Sequence, residues 1–139
     1  EGDYSVPLGQ AKVVREGSQL TVLCYGAMVH TCVEAAQLAE KDGFDPEIID
    51  LRTLLPLDTE TVLQSVRKTG RVVIAHEAPK TCGYGAELAA MIAEKALLSL
   101  EAPITRVAGF DTPFPYTLEN GYLPLAHRIL PAVLETARY

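Results

Sequence analysis

The residues best suited to chemistry are a histidine and a glutamate that stand where an apolar segment ends. His76 and Glu77 directly follow the apolar residues 72–75, and a loop that contains Gly83 and Gly85 comes next. A histidine can act as an acid or a base near neutral pH, and a neighbouring carboxylate can orient it or change its charge. In an open α/β sheet, the end of a buried strand followed by a glycine loop is a usual place for a functional site.

Two further charged residues are expected to reach the same edge of the sheet. Asp50 and Arg52 lie at the end of another predicted strand, 46–51. Successive side chains of a strand point to opposite faces, so His76 and Glu77 fail to meet if their strand continues. An ion pair or a cap that fixes the loops explains all four residues without a ligand, and it is the interpretation that we favour from the residues alone.

The glycine loop also imitates the start of a dinucleotide-binding fingerprint. Gly83 and Gly85 have the expected spacing, but Leu88 stands where the third glycine belongs, and the loop after the strand is long. Glycines also simply permit tight turns. A nucleotide site at this loop therefore stays an alternative to a purely structural turn.

The cysteines offer two other chemical interpretations. Cys24, His30, Cys32 and Cys82 are possible metal ligands, but their spacing matches no structural zinc pattern. Small core residues with a histidine on a helix surface are the explanation that we favour. A Cys82 nucleophile with His76 as its base lacks an orienting third group. The odd number of cysteines favours reduced thiols over a disulfide framework. We therefore predict no metal site and no catalytic cysteine in this chain.

Charge and hydropathy exclude several classes of partner. The net charge is -6 and no basic run occurs, which argues against nucleic acid, because phosphate binding needs clustered Lys and Arg. An acidic surface suits a basic protein partner, or is simply solvated. No apolar stretch is long enough to span a bilayer, and the first ten residues do not resemble a signal peptide.

Apolar periodicity predicts strands and helices that alternate along the chain. The predicted strands are 20–25, 46–51, 71–76 and 104–108, and the third predicted helix is 86–99. Asp58 is the expected N-cap of the second helix and Gly70 its end. This order predicts an α/β fold, an open, doubly wound sheet of about five mostly parallel strands with helices on both faces.

Several motifs in sequence order resemble a known family. They are IDLRTLLPLD (49–58), KTGRVVIAHEAP (68–79), GYGAELAAMIAE (83–94), LEAPITRVAGFDTPFPY (100–116) and YLP (122–124). Together they are similar to the C-terminal domain of transketolase-like beta subunits. More narrowly, they resemble the beta subunit of the thiamine-dependent decarboxylating component of 2-oxoacid dehydrogenase complexes, with the branched-chain type favoured. The residues at 80–83 depart from the family pattern, which affects only the expected loop conformation.

The resemblance implies a division of labour within a longer enzyme. Residues 1–17 would be a linker from a missing N-terminal thiamine-pyrimidine domain, and residues 18–139 the transketolase C-terminal-like domain. The full enzyme would oxidatively decarboxylate a 2-oxoacid on thiamine diphosphate and acylate a lipoyl group. Other parts of the enzyme would hold the thiamine diphosphate and its magnesium, so this fragment alone would bind neither cofactor and would be inactive.

The resemblance also implies binding partners and a cellular location. The partners would be the decarboxylase alpha subunit, a second beta subunit and the small basic subunit-binding domain of the dihydrolipoyl acyltransferase. Tyr139, with its terminal carboxylate, and Glu101 would contact that docking domain. The location would be the bacterial cytoplasm, which we favour, or the mitochondrial matrix of a eukaryote. The alternatives are a purely structural association domain and a stand-alone small-molecule or nucleotide-binding α/β domain that uses the edge near His76.

Overall fold

The computed structural model describes residues 3–139, which form one five-stranded sheet covered by helices on both faces. The strands are β1 (Lys12–Arg15), β2 (Leu20–Cys24), β3 (Pro46–Asp50), β4 (Val72–Pro79) and β5 (Thr105–Gly109). The α-helices are α1 (Met28–Lys41), α2 (Thr59–Thr69), α3 (Tyr84–Ala96), α4 (Glu119–Tyr122) and α5 (Ala126–Ala137). Two 3₁₀ turns lie at Leu97–Ser99 and Tyr116–Leu118.

The sheet is mostly parallel, in the order β1-β3-β2-β4-β5. Strands β3, β2, β4 and β5 pair in parallel, and β1 pairs with β3 in the antiparallel direction. Because parallel strands need crossover connections, the chain places a helix between each consecutive pair of them. The predicted α/β class, the strand number and the mostly parallel sheet are confirmed.

Strand β1 lies inside the segment 1–17, which the sequence predicts to be a linker. Val13 pairs with Ile49 of β3, and the Ala11 N–H donates to the Asp58 carboxylate over 2.9 Å. Only two of the four strand residues are apolar, so the segment carries too short a period-2 pattern to be recognised as a strand. A connection from this segment to a further domain stays a prediction.

The two faces of the sheet carry separate apolar layers. Helices α1 and α5 pack on one face, against alternate residues of the central strands that include Val22, Ile48 and Ala75. Helices α2 and α3 pack on the other face, against the intervening residues, which include Leu23, Ile49 and Ile74. This period of two means that the face reached by any strand-end residue follows from its register.

A buried polar network joins β2, β3 and α2. Thr21 Oγ1 lies 2.6 Å from Ser65 Oγ, and Ser65 donates to Glu47 Oε1 over 2.5 Å. The Glu47 side chain is only 2% exposed and is paired with Lys68. Burial opposes the charge of this carboxylate, but the hydrogen bonds from Lys68 and Ser65 hold its pKa below the usual value. Glu47 is therefore a buried carboxylate that Lys68 keeps ionised.

Several predicted boundaries move in the region that follows α2. Asp58 caps α2 through the Thr61 N–H, and Gly70 ends it in the left-handed conformation, both as predicted. Strand β4 continues beyond His76 to Pro79, with an irregularity in its pairing to β5 between these two residues. Helix α3 begins and ends earlier than predicted, and a 3₁₀ turn follows it.

None of the helices in the described part of the chain has the length and apolar character needed to cross a membrane.

Candidate functional site

His76 lies at the last buried position of β4 and is completely enclosed. Its Nδ1–H donates to the Ala78 carbonyl over 3.0 Å, since a carbonyl can only accept, and this leaves a lone pair on Nε2. Nε2 has no hydrogen-bond partner among residues 3–139. The Tyr25 ring stacks on the imidazole with centroids 6.2 Å apart. Burial, with the nearby Arg106 charge, lowers the pKa of His76, so the imidazole is neutral near pH 7.

The glycine loop provides the space that the His76 ring occupies. A Cβ on Gly83 would lie 2.7 Å from His76 Cε1, and one on Gly85 would lie 2.7 Å from Cδ2 and closer still to Nε2. Both glycines are buried, and neither has a positive φ. Close packing against the imidazole therefore explains the spacing that imitates a dinucleotide fingerprint.

Glu77 does not act on His76 in this arrangement. The strand continues through Glu77, so its side chain points away from the imidazole, and it is exposed. Burial, with the Glu77 charge, raises the pKa of Tyr25. The pair that stands together in sequence is therefore separated by the pleat of β4.

Asp50 and Arg52 form a local contact at the end of β3. Asp50 Oδ1 accepts from the Arg52 N–H over 3.0 Å, and Arg52 Nε lies 4.0 Å from Oδ2. Arg52 has a φ of 56°, a conformation that a neighbouring Asx hydrogen bond helps to hold. The loop is thus fixed by the kind of ion pair and cap that the sequence favours.

Register shows that Asp50 and His76 reach opposite faces of the sheet. Asp50 lies beside Cys24, which lies beside Ala75, and these two partners point into the α1–α5 layer. His76 is the next residue after Ala75 and points into the α2–α3 side. The four candidate residues of the functional edge therefore end at one edge of the sheet but do not converge on one site.

Glu101 and Tyr139 lie at the opposite, amino-terminal edge of the parallel strands. Thr136 Oγ1 donates to Thr105 Oγ1 over 3.0 Å, which places the end of α5 and the following Tyr139 beside the start of β5. Glu101 comes four residues before Thr105. Its N–H donates to the Gly70 carbonyl over 2.7 Å. The side chains of Glu101 and Tyr139 are 60% and 66% exposed, so both are accessible at this edge.

Glu101 already has an ionic partner. Its Oε2 lies 2.7 Å from Arg71 Nη1, at the turn between α2 and β4. A Cβ on Gly70 would lie 2.9 Å from Glu101 Cγ, so the glutamate stem packs closely over that turn. The carboxylate is thus held in one place at the surface, which lowers the entropy lost when a second cation contacts it.

The cysteines behave as core and surface residues. Cys24 and Cys32 are buried, and the neighbouring Cys32 thiol, with burial, raises the pKa of Cys24 well above its ordinary value. The Cys24 thiol is therefore protonated and inert at neutral pH. Cys82 is exposed. Within residues 3–139, no three His, Cys, Asp or Glu side chains are grouped to hold a metal ion.

The structure has two surface grooves near the carboxyl edge that are not predicted from the sequence. One has a volume of about 520 Å³ and is lined mainly by apolar side chains of the segment 110–122, including Phe110, Leu118 and Tyr122. The other, of about 480 Å³, runs along β5. The density of aromatic residues and prolines in 110–122 is the sequence signal for the first groove, and the second has none, because it depends on which strand ends the sheet.

Comparison with known proteins gives consistent results. The family model described as Transketolase, C-terminal domain, matches residues 9–129. The Arabidopsis thaliana 2-oxoisovalerate dehydrogenase subunit beta 2, mitochondrial, is 50% identical over 139 residues, which are 100% of this chain and 39% of that protein. The Staphylococcus epidermidis pyruvate dehydrogenase E1 component subunit beta is 50% identical over 125 residues, 89% of this chain and 38% of that protein. The chain thus spans less than half the length of these relatives.

A solved structure shares the fold throughout. It is described as a split gene transketolase, inactive beta4 tetramer, and it superposes with a TM-score of 0.84 at 29% sequence identity. The match covers 98% of this chain and 44% of that one. On the family match, which covers most of residues 3–139, and on this common fold, the chain belongs to the transketolase C-terminal domain family.

Proposed function

We propose that this chain is the C-terminal domain of the beta subunit of a 2-oxoacid dehydrogenase decarboxylating component. The observation that carries the proposal is the 50% identity, along the whole chain, to a subunit named for 2-oxoisovalerate dehydrogenase. The complete enzyme would oxidatively decarboxylate a branched-chain 2-oxoacid, or pyruvate, and acylate a lipoyl group. We favour the branched-chain substrate, and a cytoplasmic location if the source is bacterial.

The chemistry would belong to other parts of that enzyme. Magnesium prefers several converging oxygen ligands, and residues 3–139 offer no group of three carboxylate, histidine or cysteine side chains for it. The glycine loop that could cradle a diphosphate is filled by the His76 ring. The residues present therefore do not fit thiamine diphosphate with its magnesium, and we assign this domain no step of the reaction.

The role that we propose for this domain is subunit assembly and docking. It would contact the alpha subunit and a second beta subunit, and its amino edge would receive the basic subunit-binding domain of the dihydrolipoyl acyltransferase. Glu101 and Tyr139 support this role because each is exposed at that edge. The net charge of -6 would speed association with a basic partner.

Calorimetry tests the docking. The subunit-binding domain is titrated into the complete decarboxylase that carries this chain, at low and high salt. We expect binding that weakens with salt and that weakens by about tenfold in the Glu101→Gln, Tyr139→Ala double variant, as for the loss of one or two exposed polar contacts. Glu94→Gln, an equal charge change on exposed α3, is the matched control and should bind as the parent does. The absence of any binding heat at every salt concentration would contradict the docking role.

A second candidate is a small-molecule or nucleotide-binding domain that uses the edge near His76. The buried, unpartnered Nε2 favours it, because such an atom usually has a water or ligand partner. Addition of ADP or a 2-oxoacid would then change the His76 ring resonances in an NMR spectrum. Unchanged resonances at millimolar ligand, together with docking that depends on Glu101, would reject this candidate.

A further inference from the structure

The sheet ends at β5, and the outer side of this strand lines a groove. Strand β4 covers one side of β5, and β5 is the last strand in the sheet order. The groove has a volume of about 480 Å³ and is lined by all five residues of Thr105–Gly109, with Arg128 and Ala132 of α5 on one wall. A groove that follows five consecutive residues of an edge strand suits an extended peptide better than a compact ligand.

The groove carries positive charge although the chain is acidic overall. Lys80, Arg106 and Arg128 line it, against one carboxylate, Asp111. Asp111 is already engaged, because it accepts from the Thr81 N–H over 2.9 Å and from the Thr81 hydroxyl over 2.6 Å. Three cations around one edge strand of a chain with a net charge of -6 form a distinct local field.

Two of the cations are held in fixed positions. Arg106 Nη1 donates to the Lys80 carbonyl over 3.0 Å. Arg128 Nη2 donates to the Ala108 carbonyl over 2.8 Å, and its guanidinium lies 4.4 Å from the centre of the Phe110 ring. Because their positions are set before any partner arrives, little side-chain entropy is lost when a carboxylate contacts them.

The hydrogen bond from Arg128 also identifies the outward-facing backbone of β5. It reaches the carbonyl of Ala108, and in a strand the N–H and C=O groups of alternate residues point to the same side. The N–H and C=O of Arg106 therefore face outward with those of Ala108. These groups are where an added strand would pair.

We propose that this groove binds an extended acidic peptide segment of a partner protein, which adds to the sheet as a sixth strand beside β5. Backbone hydrogen bonds to Arg106 would give affinity, and carboxylates of the segment would contact the cations on both sides of the strand. This proposal does not depend on the docking at the amino edge, because the cations contact the Lys80 and Ala108 carbonyls, toward the opposite end of β5. The opposing explanation is that the cations only protect an exposed edge from unwanted pairing.

The probe is a fluorescent eight-residue peptide of alternating glutamate and valine, titrated into the complete protein that carries this chain. Fluorescence anisotropy should show saturable binding, and a lysine-valine peptide should not bind. Arg106→Glu should weaken binding by about tenfold, since it exchanges an attraction for a repulsion. Arg67→Glu, the same charge change on the exposed face of α2, is the matched control and should change it little.

Peptide methylation separates strand addition from simple charge attraction. N-methylation of the amides along one edge of the peptide leaves the other edge free and should preserve binding. N-methylation along both edges should abolish it, because no backbone donor remains for β5. Equal binding of all three peptides, or no binding of the unmodified peptide, would overturn the proposal and favour edge protection alone.

Discussion

Gly85→Ala should destabilise the fold through one contact, with the His76 ring. The new methyl group would lie 2.7 Å from Cδ2 of His76, whose ring is fully enclosed. Overpacking of this kind costs about 1–3 kcal/mol, while replacing a helical glycine by alanine returns at most about 1 kcal/mol. The net expectation is a loss of about 1–2 kcal/mol in the free energy of unfolding.

A double-mutant cycle tests whether the His76 ring causes this loss of stability. In a His76→Ala background the ring is gone, and the nearest remaining side-chain neighbour of the new methyl is Ile74 Cγ2 at 3.3 Å. Gly85→Ala should then become neutral or stabilising, so the two changes are strongly non-additive. Gly121→Ala, in α4 with nothing within 4 Å of the new Cβ, is the control for the helical gain alone. Urea unfolding measures all four variants and the parent, and additive effects of Gly85→Ala and His76→Ala would refute the packing explanation.

Three further predictions concern stability. Because burial lowers the pKa of His76, the imidazole binds a proton more readily in the unfolded chain than in the folded one. The free energy of unfolding should therefore fall as the pH drops below about 6.5, and urea titrations should find a smaller fall in His76→Gln. Lys68→Met leaves the Glu47 carboxylate buried without its cation and should cost about 2 kcal/mol in urea unfolding; a change below about 0.5 kcal/mol would contradict the pairing. Asp58→Ala removes the α2 cap and should lower the free energy of unfolding by about 1–2 kcal/mol in thermal unfolding. Asp58→Asn should lose much less, because asparagine can also cap a helix, and equal losses in both variants would argue against capping.

Local residue chemistry made most of the fold predictable. Asp58 and Gly70 bound α2 because a carboxylate can accept from free N–H groups and a glycine can take the left-handed conformation that ends a helix. Strand β1 was not predictable, because two valines between charged residues do not distinguish an edge strand from a connector. Its stabilising contacts, with β3 and with Asp58, come from distant parts of the chain.

The sequence identified the residues of the candidate site, but it did not predict how their side chains are arranged. The sequence indicates that His76 and Asp50 end strands at the same edge of the sheet, but a register difference of one residue sends their side chains to opposite faces. The spacing of Gly83 and Gly85 is visible in the sequence, whereas the ring that fills the space beside them is not. The sequence likewise does not identify β5 as the edge strand.

The most direct test of the proposed role compares two reactions of the complete decarboxylase that carries this domain. One is decarboxylation of the 2-oxoacid, measured with a soluble electron-accepting dye, and the other is acyl transfer to the lipoyl groups of the assembled complex. We expect the Glu101→Gln, Tyr139→Ala double variant to keep the dye-coupled rate and to lose most of the transfer at low enzyme concentration. An equal loss in both reactions, or no loss in either, would contradict the assignment of this domain to docking rather than chemistry.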